Sequence, residues 1–186
     1  MSEFASGQSR RPKLIPLAVP WCIDALRANF SMVTGEYHEH QPTELGFNAY
    51  ALGQDRAGPF EMQVIRVTFQ EALAARVCPF EDEDVLLYAE EEPAEGLEDG
   101  LDGFQRNIRR FEEELARWRR TGICGNCGFY EVQDSLWMRE LAIDDEEVRH
   151  YFSVGRRVSV DVLARGWSWR VERSVPDAPP PLWPPG

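Results

Sequence analysis

The spacing of apolar residues predicts one long helix in the second half of the chain. Apolar side chains recur there every three or four positions: Leu101, Phe104, Ile108, Phe111, Leu115 and Trp118. That spacing gathers them on one stripe of an α-helix. Arg119 and Arg120 near the end complement the helix dipole, and Gly122 is a suitable stop. We therefore predict a single amphipathic helix, at about residues 101–120, packed on one face of a sheet.

Other stretches carry the alternation and the β-branched residues that are typical of strands. The strongest candidate in the first half is 60–69, and apolar residues at every second position mark 157–163 and 167–171. We expect the last two to form a hairpin that closes the sheet. Shorter strands are predicted at 47–52, 84–88, 129–136 and 148–154.

A second, shorter helix is predicted from Pro20 to Phe30. Proline suits a first helical turn, and Ile23, Leu26 and Phe30 fall on one helical face. Together these elements predict an α+β fold. It would have a mainly antiparallel sheet, the long helix on one face and the short helix near the N-terminus.

The two ends of the chain differ in composition from the middle. Residues 1–13 are polar, and we expect a flexible lead. Residues 174–186 are rich in proline, which donates no backbone hydrogen bond, so we expect a disordered tail. Residues 14–173 would then form a single globular domain, which agrees with a length of 186 residues.

The charge balance excludes several kinds of partner. With 32 acidic against 20 basic residues, the net charge is −12, which argues against nucleic-acid or anionic-lipid binding. No apolar run has the length of a membrane-spanning helix, and the first twenty residues lack a secretory signal. We therefore expect a cytoplasmic protein. All basic residues except Lys13 are arginines, which indicates a GC-rich and bacterial genome.

Much of the negative charge lies in one stretch, from Glu81 to Asp99. Neither lysine nor arginine occurs between Arg76 and Arg106. Such a run is either a solvated loop or a docking surface that steers a basic protein partner. The residues predicted to bind that partner are Glu81, Asp82, Glu83, Asp84, Glu90, Glu91 and Glu92.

A pair of cysteines is one candidate for chemistry. Cys124 and Cys127 enclose a Gly-Asn dipeptide and are followed by Gly128, so they supply half of a tetrahedral zinc site. The string resembles a single zinc-ribbon knuckle, although no second knuckle is present. The alternatives are a structural turn and a thiol redox pair. A redox pair needs a helix N-terminus to lower the thiol pKa, whereas this pair follows a predicted helix C-terminus.

A second candidate for metal binding lies near residue 40. Two imidazoles and a carboxylate suit iron, zinc or manganese. The spacing of His38, His40 and Glu44 resembles part of the first metal motif of the cupins, and the resemblance implies that these three residues are ligands. The second cupin motif is absent, and the alternative is a surface turn with exposed histidines.

The sequence contains no familiar nucleophile or phosphate-binding motif. A triad of a serine, an acid and His38, His40 or His150 cannot be distinguished from chance. Trp137, Trp167 and Trp169 could line a small-molecule pocket or fill a core. We therefore expect no cofactor, and predict an acidic protein-binding protein, in its most concrete form an immunity- or antitoxin-like inhibitor. The alternative is a metal-dependent enzyme or small-molecule binder that uses zinc or iron.

Overall fold

Seven segments of the chain are described by the computed structural model. They are residues 12–23, 30–33, 43–52, 59–79, 101–125, 127–155 and 158–175, with the side chains of 101–108, 110 and 111 left out. The ten strands in these segments are β1 (Lys13–Pro16), β2 (Trp21–Ile23), β3 (Ser31–Val33), β4 (Thr43–Leu52), β5 (Phe60–Gln70), β6 (Ala74–Pro79), β7 (Phe129–Gln133), β8 (Arg149–Val154), β9 (Val158–Ala164) and β10 (Gly166–Val175). The helices are α1 (Leu101–Thr121) and α2 (Leu136–Glu140).

The strands form two sheets in which every pairing is antiparallel. The first sheet has the order β1-β7-β8-β9-β6. The second has the order β10-β5-β4-β2, and β3 pairs with β4 beside β2. The longest pairing joins β4 to β5, from Thr43 opposite Phe69 to Leu52 opposite Phe60. Within the described segments, β10 is therefore one edge of the second sheet.

The hydrophobic core lies between the inner faces of the two sheets. Alternation decides which side chains point inward, as in β9, where Val160, Val162 and Ala164 are buried. Aromatic rings fill much of the space. The rings of Phe69 and Tyr151, one from each sheet, lie 5.7 Å apart. The two sheets therefore pack face to face as a sandwich.

The predicted α+β architecture, with a long helix packed along a sheet, is wrong. A helix does span Leu101–Thr121, but most of its described side chains are exposed. Trp118 is buried and its ring lies 5.1 Å from that of Phe60, while Leu115 is partly buried. Spacing shows that a stripe exists, but it does not show which surface covers the stripe. The second sheet, not the helix, covers the first.

The predicted N-terminal helix is also wrong. Trp21, Cys22 and Ile23 form β2 and pair with β4, and Ser31–Val33 forms β3. The three residues of β2 are all buried, and a short apolar run of this kind fits a buried strand as well as a helix. Residues 24–29, which follow β2, lie outside the described segments.

Among the predicted strands, the last two form but do not pair with each other. β9 pairs with β8 and β6, whereas β10 crosses to the other sheet and pairs with β5. The predicted hairpin is therefore wrong, because Arg165 connects two layers rather than two neighbours. The predicted strand at 129–136 stops at Gln133, where the chain turns into α2. The strand predicted at 84–88 lies outside the described residues.

Candidate functional site

A buried chain of polar groups lies on the outer face of the first sheet. Ser135 Oγ is 2.8 Å from His150 Nδ1, and His150 Nε2 is 2.7 Å from Asp161 Oδ1. The three residues are 5%, 1% and 2% exposed. Arg76 Nε donates to the other carboxylate oxygen of Asp161 at 3.2 Å. We call Ser135, His150, Asp161 and Arg76 the polar array.

The hydrogen-bond partners favour one arrangement of protons in the array. Ser135 Oγ accepts a hydrogen bond from the Met138 backbone N–H at 3.1 Å, which leaves its own proton free to donate to His150 Nδ1. The imidazole Nε2–H then donates to Asp161. The guanidinium of Arg76 supplies the positive charge that the carboxylate needs.

Local structure brings the serine into this position. Asp134 adopts a left-handed conformation (φ 55°) directly after β7, and the chain reverses into α2. Ser135 is the N-cap of that helix, a role that serine fills well. The ring of Trp137 in the same helix lies 5.4 Å from that of His150 and beneath the guanidinium of Arg76. The array therefore fastens α2 to strands β6, β8 and β9.

The order serine, histidine, aspartate is that of nucleophilic hydrolases, in which histidine takes the hydroxyl proton. Here the hydroxyl also caps a helix, and all three groups are almost fully buried. We therefore assign the array a stabilising role. Sequence reasoning named His150 but not its partners. Two signals were available in the sequence: Ser135 precedes a short helix, and Asp161 is a charged residue within an apolar strand. Neither signal indicates that the residue contacts His150.

The cysteine pair lies where α1 ends and β7 begins. Cys124 and Cys127 are both buried. Gly128 is left-handed (φ 72°), and the Phe129 backbone N–H donates to Cys127 Sγ at 3.4 Å. Burial, with a smaller contribution from the Cys124 thiol, raises the pKa of Cys127 to about 12. At neutral pH this side chain is therefore a protonated thiol and a poor nucleophile.

The predicted metal ligands do not come together in the part of the chain that the structure describes. No three histidine, cysteine, aspartate or glutamate side chains there are placed to hold a metal ion. His38 and His40 lie outside those segments. Glu44 lies on the outer face of the second sheet, where Thr68 donates to its Oε1 at 3.3 Å. Arg66 and Arg170 also approach the Glu44 carboxylate, at 3.8 and 3.4 Å.

An acidic cluster occupies one end of the sandwich. Arg165 bridges three carboxylates, those of Glu71 (3.2 Å), Asp145 (2.9 Å) and Glu147 (3.4 Å). The side chains of Glu71 and Glu147 are 70% and 74% exposed. We call these four residues the acidic end.

Hydrogen bonding and charge together shift the pKa values of Asp145 and Arg165. The Glu147 backbone N–H, followed by the Arg165 guanidinium, lowers the pKa of Asp145. The carboxylates of Asp145 and Glu71 raise the pKa of Arg165 in turn. Asp144 and Glu146, next to Asp145 in the chain, are exposed and add to the negative charge.

The three tryptophans of the predicted pocket are separated. Trp167 packs into the core, with its ring 5.0 Å from that of Phe129. Trp137 belongs to the surroundings of the polar array, and Trp169 is partly exposed on β10. The predicted partner-binding carboxylates, from Glu81 to Glu92, lie outside the described segments.

Comparisons with known proteins add no identification. No family model, no curated protein and no solved structure matches the chain. Among the helices of the described segments, none combines the length and the apolar character needed to cross a bilayer.

Proposed function

We propose that this chain is a cytoplasmic protein-binding protein whose partner is a basic protein. The acidic end is the observation that carries the proposal. Three carboxylates share one guanidinium there, so negative charge remains in excess on exposed side chains. Leu73 and Leu141, close to these residues in the chain, are exposed and add apolar surface. A charged rim around apolar contacts is the usual composition of a protein interface.

The whole molecule is also acidic, with a net charge of −12. A strongly acidic protein attracts a cationic partner over a distance and speeds their association. The most concrete form of the proposal is an inhibitor of the immunity or antitoxin kind, which neutralises a cationic enzyme. The acidic stretch from Glu81 to Asp99 would contribute to the same attraction.

Charge reversal at the acidic end tests the proposal. The partner is first captured on the wild-type chain and isolated, and its association rate is then measured at several salt concentrations. We expect Glu71→Lys combined with Glu147→Lys to slow association about tenfold at low salt and to flatten the salt dependence. The triple change of Glu90, Glu91 and Glu92 to lysine should act in the same direction.

The matched control is Glu113→Lys combined with Glu114→Lys. Both residues are exposed on α1, and the pair changes the net charge by the same amount. The control should leave the rate within about twofold of wild type, because steering depends on where the charge lies. An equal effect of both pairs, or a captured partner without excess positive charge, would contradict the proposal.

A second candidate function is metal binding through Cys124 and Cys127. The Phe129 N–H bond to Cys127 Sγ favours it, because such a bond stabilises the negative charge of a metal-bound thiolate. The metal would have to displace the thiol proton that Cys127 Sγ donates to the Phe129 carbonyl oxygen at 2.8 Å. The two cysteines would supply two of the four ligands of a tetrahedral site. Elemental analysis of untagged protein prepared without chelator should then find about one zinc or iron per chain. Cys124→Ser should remove it, and metal-free protein of full stability would refute this candidate.

A further inference from the structure

The edge strand β6 has backbone groups without a partner strand, and the sheet register shows which ones they are. In the described segments β6 pairs with β9 and with no other strand. Within β9, Val158 faces β8, because its carbonyl oxygen accepts the Gly155 N–H at 2.9 Å. Backbone hydrogen-bonding groups alternate in direction along a strand, so Asp161 faces β6, where it lies opposite Arg76. The backbone of Arg76 therefore bonds to β9.

The two neighbours of Arg76 form the free edge. Ala75 and Val77 direct their N–H and C=O groups away from the sheet, and every residue of β6 is exposed or partly exposed. Val77 lies opposite the buried Val160 on the inner side of the sheet, yet it is 51% exposed. Free backbone groups beside an exposed apolar side chain are a template for an added strand.

The acidic end lies beside the first residues of β6. Glu71 precedes the strand by three residues, and the Leu73 N–H donates to the Leu163 carbonyl oxygen of β9 at 2.8 Å. Leu163 is two residues from Arg165, which bridges the three carboxylates. A segment that adds to the edge of β6 therefore comes close to carboxylates whose negative charge is in excess.

Charge also separates β6 from the other edge strands. The cation of β6, Arg76, is paired with Asp161 at 3.2 Å. In contrast, β10 has a net positive charge, β1 begins with Lys13, and β2 and β3 have three residues each. Among these edges, β6 is therefore the one that attracts a cationic segment and is long enough to pair with it.

We propose that the basic partner adds an extended segment to β6 as a new edge strand. Its backbone bonds to the N–H and C=O groups of Ala75 and Val77, an apolar side chain covers Val77, and a cationic side chain lies beside Glu71 and Glu147. This mode of docking rests on the proposed partner-binding function. The strand bonds act at short range and slow dissociation, whereas the charges of the acidic end speed association.

Hydrogen exchange of the wild-type chain, followed residue by residue by NMR, tests this docking mode. In the free chain the amides of Ala75 and Val77 should exchange fast and the amide of Arg76 slowly, because Arg76 bonds to β9. The isolated partner should slow exchange at Ala75 and Val77 at least about tenfold, and leave β10 unchanged. Slow exchange of both amides in the free chain would mean that another segment or a second copy already covers this edge, and would overturn the proposal.

Val77→Pro removes one outward N–H, and Val77→Thr is the matched control, because threonine keeps the N–H and nearly the same shape. Proline is tolerated on an edge strand where the N–H faces solvent, so the variant should fold. We expect Val77→Pro to raise the dissociation rate of the partner about five- to tenfold and to leave the association rate within about twofold of wild type. Val77→Thr should change dissociation less than about threefold.

The two proposals fail in different ways. If charge reversal at Glu71 and Glu147 slows association, while Val77→Pro and partner binding have no effect on dissociation and exchange respectively, the basic partner binds elsewhere and the docking on β6 is wrong. If the wild-type chain captures no basic partner, the proposed function is wrong and the docking mode with it.

Discussion

At the residue scale, the polar array shows why a buried histidine is costly to remove. His150 satisfies two other buried groups, Ser135 Oγ and the Asp161 carboxylate. We expect His150→Leu to lower the free energy of unfolding by about 2–4 kcal/mol, because both partners lose a hydrogen bond without regaining water. Urea denaturation monitored by tryptophan fluorescence measures the loss.

A double variant of His150 and Asp161 tests whether the two side chains interact or contribute to stability independently. In a His150→Leu background, Asp161→Leu should cost at least about 1 kcal/mol less than it does alone, since the carboxylate has already lost its imidazole partner. Ser153→Ala, at another buried polar residue of β8, is the control and should be additive with Asp161→Leu. Additive effects of the His150 and Asp161 changes would show that the two side chains do not act together.

At the element scale, the positions of the strands were more predictable from the sequence than the way in which the strands pair. Alternating Val158, Val160 and Val162 indicated β9 correctly. Both faces of this strand are buried, but the period remains visible because the polar residues Ser159 and Asp161 alternate with the valines. The predicted hairpin implies a turn at Arg165, but the pattern does not show that this turn sends β10 into the other sheet. The apolar stripe from Leu101 to Trp118 indicated a helix, but its covering surface depends on contacts between distant parts of the chain.

The candidate site was less predictable than the strands, for a related reason. Ser135, His150 and Asp161 come from three separate elements, and only the pairing of β8 with β9 brings the last two together. A sequence shows neighbours along the chain, whereas this array is made of neighbours across a sheet. Glu44 is a similar case, because its contacts with Arg66 of β5 and Arg170 of β10 are made across the second sheet, and no sequence pattern indicates them.

At the scale of the whole molecule, the burial of weak acids makes the sandwich less stable at high pH. Burial raises the pKa of Cys127 to about 12, and it also raises the pKa values of Tyr130 and Tyr151. The unfolded chain releases the Cys127 proton near pH 9, whereas the metal-free folded chain retains it. The folded state therefore binds more protons in this range, so the contribution of Cys127 to stability is complete below pH 9 and is lost as pH rises toward 12.

We expect Cys127 alone to contribute a slope of about 1.4 kcal/mol per pH unit between pH 9 and 12. Urea denaturation at several pH values, in chelator and reductant, measures that slope for the wild type and for Cys127→Ala. The variant should show a shallower decline, since it lacks this thiol and retains the tyrosine contributions. Cys78→Ala is the control, because that thiol is partly exposed. Equal slopes for wild type and Cys127→Ala would mean that the thiol ionises as readily in the folded chain as in the unfolded one.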